Sequence, residues 1–251
     1  MRVAEIMLLL AAGWPMWLAW RATASTTLRP SVIWLLAAWA AWLSALETGA
    51  DGATYLALSL SGCAGVAVLG ARRPGVGAWN FVLGGLLAVL LLPVARGWGT
   101  PRVELVHLLF LGATLAVPVF NYLPTRMAPA VLLVGVGCAF ELARLTGFHW
   151  AEWQHSSAHL CLAAGPWMGL LVRRRAKGLS AFERIWLEFR DGFGFVWGQP
   201  AREQFNRAAE NAGWAVSLHW RGIARTAEGT VPGDGELLRT LTAVLKRFGP
   251  E

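Results

Sequence analysis

The chain has 251 residues, of which 56% are hydrophobic and 15% charged, with a formal net charge of +7. An ordinary soluble domain carries about 25% charged residues, so the composition excludes a conventional soluble protein and points to lipid as the solvent for much of the chain. A basic balance in a soluble protein would suggest nucleic acid; here cytosolic retention of arginine and attraction to anionic lipid account for it, and no nucleic-acid partner is expected.

Seven apolar runs fill residues 1–172, and the expected crossings are 4–20, 31–47, 53–70, 76–94, 103–120, 128–147 and 157–172. A bilayer core needs roughly 20 predominantly apolar residues per helix. Breakers separate the runs: Arg29-Pro30, Thr48 to Gly52, Arg72-Arg73-Pro74-Gly75, Arg96 to Arg102, Asn121 to Arg126 and Gly147 to Ser156. The first and last runs are short, and Pro15 and Pro166 are expected to bend them. Ala22-Thr23-Ala24 has the form of a signal-peptide cleavage site, yet Glu5 dilutes the leading positive charge and Arg21 and Arg29 follow the run. That arrangement favours an uncleaved helix.

Lysine and arginine in short loops set orientation. With the N-terminus outside, the cytosolic side collects Arg21, Arg29, Arg72, Arg73, Arg126 and the Arg173-Arg174-Arg175-Ala176-Lys177 cluster, 9 positive charges in all. The outer side holds 3, on Arg2, Arg96 and Arg102. An odd number of crossings then leaves residues 173–251 in the cytosol. The expected architecture is an all-α membrane bundle over 1–172, followed by a small α-rich cytosolic module over 173–251.

Trp20, Trp34 and Trp79 fall at expected inner boundaries and Trp98, Trp150 and Trp153 at the outer one, as interfacial tryptophans do. Trp14, Trp17 and Trp20 make one stripe, and Trp39 with Trp42 another; both suit helix packing or lipid contact better than a flat cofactor. Ser59, Cys63 and Ala67, Gly84-Gly85, and Gly135 with Gly137 offer small faces for close helix approach. Cys63, Cys138 and Cys161 lie inside apolar runs without CxxC spacing and read as packing residues.

Ionisable groups inside crossings are costly and often functional. Here they gather toward the outer face: Glu104 and His107 start the fifth run, Glu141 and Arg144 lie in the sixth, and His149, Glu152, His155 and His159 surround the start of the seventh. Glu104 and His107 share a helix face, Glu141 and Arg144 can pair on their own helix, and His155 and His159 at i, i+4 can address one ion. The candidate ligands are His107, His155 and His159 with Glu104 or Glu152, a donor set suited to a transition metal such as zinc, iron or copper, or to haem. The opposing reading places these groups at headgroup depth, where polar side chains are cheap. The middle thirds of the runs contain no ionisable residue, which disfavours ion-coupled transport but not carriage of a hydrophobic small molecule. No nucleophile elbow, phosphate loop or kinase signature is present.

In the tail, Leu179, Phe182, Ile185, Trp186 and Phe189 form one apolar helix face, which suits either the membrane interface or the rest of the tail. Phe193 to Gly198 reads as a glycine-spaced aromatic turn, and a polar helix follows from Pro200 to about Ala212. Val216, Leu218 and Trp220 suggest one short strand, and Asp234 or a neighbour caps a last helix bearing Leu237, Leu241 and Phe248. The stretch Phe189 to Gln199, continued by Arg202-Glu203-Gln204-Phe205-Asn206, resembles a segment of uncharacterised bacterial membrane proteins with a similar tail, over about residues 180–220. The resemblance implies a membrane location and a shared cytosolic module, and carries no activity; with the arginine distribution, the expected location is a bacterial inner membrane. Taken together, these features favour a non-enzymatic scaffold in the lipid bilayer whose tail docks a protein partner. The alternatives are a redox, haem or metal protein using the outer histidines, and a carrier of a hydrophobic small molecule.

Overall fold

The apolar runs fold into helices wherever breakers leave them long enough. The computed structural model describes residues 2–72, 75–95, 97–98, 101, 103–148, 151, 153–174, 179–225 and 229–249. In chain order the helices are α1 (Arg2–Ala22), α2 (Arg29–Thr48), α3 (Asp51–Ala67, extended by a 3₁₀ turn to Gly70), α4 (Val76–Leu90), α5 (Leu92–Ala95), α6 (Leu105–Tyr122), α7 (Ala128–Leu145), α8 (Gln154–Arg174), α9 (Ala181–Asn211) and α10 (Asp234–Leu245). The strands β1 (Val216–His219) and β2 (Gly222–Arg225) form one antiparallel hairpin.

Among the described residues, five segments are long and apolar enough to cross a membrane: α1, α2, α3 with its extension, α6 and α7. The expected run 76–94 is not one helix. α4 stops at Leu90 and α5 restarts beside Pro93, which has no amide hydrogen to donate and crowds the carbonyl of Val89. α8 has 21 residues, but Gln154, His155, Ser156, Ser157 and His159 make its first turns polar.

Helices α1, α2, α3, α6, α7 and α8 each pack on the next, and α8 returns to α1, while α4 lies outside against α3 and α6. Small residues place α3 at the centre. Added Cβ atoms would sit 2.8 Å from Thr114 at Gly62 and 2.5 Å from Pro118 at Gly65, so α3 and α6 run in parallel at close range. Gly137 and Gly165 give the α7–α8 seam the same intimacy, a Cβ on Gly137 meeting the Ala158 carbonyl at 2.8 Å. The pair Gly84-Gly85 differs from expectation: neither meets anything within 4 Å, so both lie on the open face of α4.

The two tryptophan stripes part company. Trp14 and Trp17 stack with centroids 5.0 Å apart on an exposed face of α1, and Arg21 and Arg29 sit over Trp17 and Trp20. Trp39 and Trp42 are buried; their indoles donate to the Leu9 carbonyl and to Ser61 Oγ.

The C-terminal segment caps one end of the bundle, called here the tail end. Phe182, Trp186, Phe189, Phe193, Phe205, Leu241 and Phe248 form a second core that also takes in Leu28, Val68 and Ala71. The apolar face of α9 is therefore filled from within the chain rather than lying on lipid. The expected aromatic turn is a kink: α9 continues through Gly194, whose φ of 74° lies in the left-handed region. Asn121 of α6 fills that break, its Nδ2 donating to the Phe193 carbonyl at 3.3 Å and its Oδ1 accepting from the Val196 amide at 3.0 Å. Four further bonds tie α9 to the bundle or its loops: Tyr122 OH to the Gly192 carbonyl (2.7 Å), Arg126 Nε to Asp191 (2.6 Å), Arg126 N to Asp191 (3.3 Å), and Trp197 Nε1 to the Val68 carbonyl (2.9 Å). The lone expected strand has a partner, β2, joined by the two-residue connection Trp220-Arg221.

Candidate metal centre

At the far end of the bundle, four helices bring their few polar side chains together. Glu141 and Arg144 lie one turn apart on α7, and Arg144 Nε donates to Glu141 Oε2 at 2.8 Å. The remaining guanidinium nitrogens reach the first turn of α3: Nη1 donates to Asp51 Oδ1 at 2.9 Å and Nη2 to Thr54 Oγ1 at 3.3 Å. Arg144 thus occupies its fixed fork with acceptors from two helices. Glu141 is 1% exposed, and its second oxygen, Oε1, lies 2.7 Å from His155 Nδ1.

Helix α8 supplies the other half. His155 and His159 lie on one face, with ring centroids 4.3 Å apart in an edge-on arrangement. His159 is 3% exposed, and its Nδ1 lies 3.2 Å from Glu5 Oε2 of α1. Ser156 donates its hydroxyl to Glu5 Oε1 at 2.8 Å. Gln154 anchors the start of α8 by donating to the Phe140 carbonyl at 3.0 Å.

These contacts fix the imidazole tautomers. An ionised carboxylate only accepts, so a ring nitrogen bonded to one carries the proton. In its neutral form, His155 carries its proton on Nδ1, donates it to Glu141 Oε1 and keeps a lone pair on Nε2. A carboxylate behind a histidine is the usual outer support of a ligating imidazole. Glu5, His155 and His159 each offer a ligand atom, and those atoms all lie within 4.8 Å of one another. A tetrahedral ion with bonds of about 2.1 Å sets its ligand atoms about 3.4 Å apart, so the three side chains would draw together by roughly 1 Å or more to hold one ion.

Charge supports the same reading. Among the described residues, Arg144 pairs with Asp51 and Glu141, whereas Glu5 meets Ser156 and His159 and has no cationic partner while that imidazole is neutral. A divalent cation between Glu5 and the two histidines restores the balance.

Of the ligands expected from sequence, the fold brings together His155 and His159. Glu104 immediately precedes α6 with an exposed side chain and is not in the group. His107 lies in the first turn of α6, and its buried Nδ1 has no hydrogen-bond partner among the described residues. The Tyr55 hydroxyl on α3 is likewise buried and unpartnered. Carried back two turns from Gly62–Thr114, the parallel α3–α6 register sets Tyr55 level with His107. Glu152 and His149 lie outside the described residues. The third member of the group is Glu5, which a reading of charge around the first run treats only as a diluent. Its signal was its depth: an acid one turn into the first crossing, at the same end as Glu141 once the crossings alternate.

No protein-family model, curated protein or solved structure matches this chain.

Proposed function

We propose that this chain is a polytopic membrane protein that holds one divalent transition-metal ion of the zinc class at its outer end, through Glu5, His155 and His159. The carrying observation is the convergence of those three side chains from α1 and α8, with Glu141 supporting His155 from behind. Two imidazoles and one carboxylate with an open fourth position suit zinc, iron or copper. The imidazole rings meet edge to face at 4.3 Å, which favours a single ion over the flat macrocycle of haem.

Five long apolar helices support membrane residence. In this reading α4–α5 and α8 complete seven crossings. α8 crosses with its polar turns folded against α1 and α7, where their hydrogen bonds are satisfied. Arg21, Arg29, Arg72, Arg126, Arg173 and Arg174 all belong to the tail end, which supports a cytosolic tail and an outer N-terminus in a bacterial inner membrane.

The test is elemental analysis of detergent-purified protein, followed by titration of metal-stripped protein with cobalt(II), whose visible spectrum reports tetrahedral nitrogen and oxygen ligation. One ion per chain is expected, lost in Glu5→Gln and His159→Ala and retained in His107→Ala. Protein that is isolated metal-free and gives no cobalt spectrum overturns the proposal.

A further inference from the structure

At the opposite end of the bundle, the loop after α3 and the C-terminal segment enclose a groove of about 590 Å³ lined by Leu69, Gly70, Arg72, Gly75, Trp79, Trp197 and Arg247. Its floor is aromatic. Trp79 Nε1 donates to the Val66 carbonyl at 3.3 Å and Trp197 Nε1 to the Val68 carbonyl at 2.9 Å, so both indoles spend their polar atoms on the end of α3. What they show the groove is ring face. Gly70 admits Trp79 there, since a Cβ would meet the indole at 1.9 Å.

The rim is cationic. Arg72 lies over the Trp197 ring at 5.6 Å, and Arg247 stands with it along the groove. Both side chains are exposed, and neither has an acid partner among the described residues. Among the described residues, no carboxylate lines the groove. Two unpaired guanidiniums on an aromatic floor are a receptor for a phosphate group, because the planar fork matches phosphate oxygens and the indole helps hold the cation in place.

The surroundings select the source of that phosphate. The groove lies where α3 ends and α4 begins, beside the open apolar face of α4 that carries Phe81 and Val82. A headgroup seated on Arg72 and Arg247 leaves its acyl chains free to run along that face. We propose that this groove binds the phosphate of an anionic phospholipid, such as a phosphatidylglycerol, at the tail end of the bundle. The inference rests on the membrane reading and is independent of the metal centre.

The test uses the full chain in nanodiscs or detergent, comparing phosphatidylglycerol with phosphatidylcholine by native mass spectrometry and tryptophan fluorescence. The wild type is expected to retain phosphatidylglycerol selectively. The R72Q/R247Q pair should weaken that retention about tenfold or more, R72K/R247K should recover only part of it because an ammonium keeps the charge but lacks the planar fork, and R239Q on the outer face of α10 should not alter it. Equal retention of both lipids, or unchanged retention in R72Q/R247Q, overturns the proposal. Saturable quenching by inorganic phosphate with no preference among lipids also overturns it, in favour of a soluble phosphate compound. Carbonate-resistant flotation with phosphatidylcholine vesicles reports membrane residence separately, so loss of that reading is distinguishable from loss of the groove.

Discussion

Arg144 answers acceptors on two helices, and its removal strands more than one partner. Arg144→Met leaves Glu141 buried with His155 as its one side-chain donor among the described residues and frees Asp51 from α7. Breaking a buried pair by deleting one member costs about 3–5 kcal/mol. The variant should melt well below wild type in detergent, and E141Q/R144M should recover a large part of the loss, because position 141 no longer buries a charge and Asp51 is more than a third exposed. A single variant as stable as wild type contradicts the network described. Much of this network was legible in advance: Glu141 and Arg144 stand one turn apart, as do Asp51 and Thr54. The link between them was not, because nothing in local spacing says that α3 and α7 meet.

Among elements, the docking of α9 turns on one residue's backbone. Gly194 holds a left-handed φ and packs against the Asn121 side chain, where a Cβ would fall 2.3 Å from Nδ2. Gly194→Ala imposes about 1–3 kcal/mol from backbone conformation alone, because φ 74° with ψ −162° is a region open essentially to glycine, and it also expels Asn121. The expected outcome is faster proteolytic cutting between 190 and 200, with the spans left intact. Asn121→Ala should act in the same direction, since it leaves the Val196 amide and Phe193 carbonyl without a side-chain partner, a loss of about 1–3 kcal/mol if they stay buried. Cutting patterns identical to wild type in both variants would contradict this account of the kink. The segment Phe189–Asn206 is legible in hindsight as an attachment strip: Asp191 meets Arg126, Trp197 meets Val68, and Asn206 holds both backbone groups of Leu218 in β1. From sequence it read as a turn because Gly192, Gly194 and Gly198 punctuate it, and the helix on either side needs a neighbour to survive them. β2 escaped notice for a related reason. Gly222-Ile223-Ala224-Arg225 has one large apolar residue, and Trp220-Arg221 lacks the asparagine–glycine signature of a tight hairpin.

On the scale of the whole molecule, the helical runs were readable because lipid demands length and apolarity together. The exceptions came where those demands conflict with local chemistry, at Pro93 and in the polar opening turns of α8. The distribution of arginine toward the tail end yields a topological prediction. A fluorescent reporter that matures only in the cytosol, fused after Glu251, should be bright, and an alkaline phosphatase fused there should be inactive. The reverse pattern would turn the proposed metal centre toward the cytosol. A further consequence concerns synthesis. Glu5 enters the bilayer with the first helix, yet its hydroxyl and imidazole partners stand 151 and 154 residues downstream. While the ribosome is still making the intervening helices, this acid has neither of them. The helix made first is consequently the one whose position is locked last, and a nascent chain stopped short of α8 should leave it open to quality-control proteases.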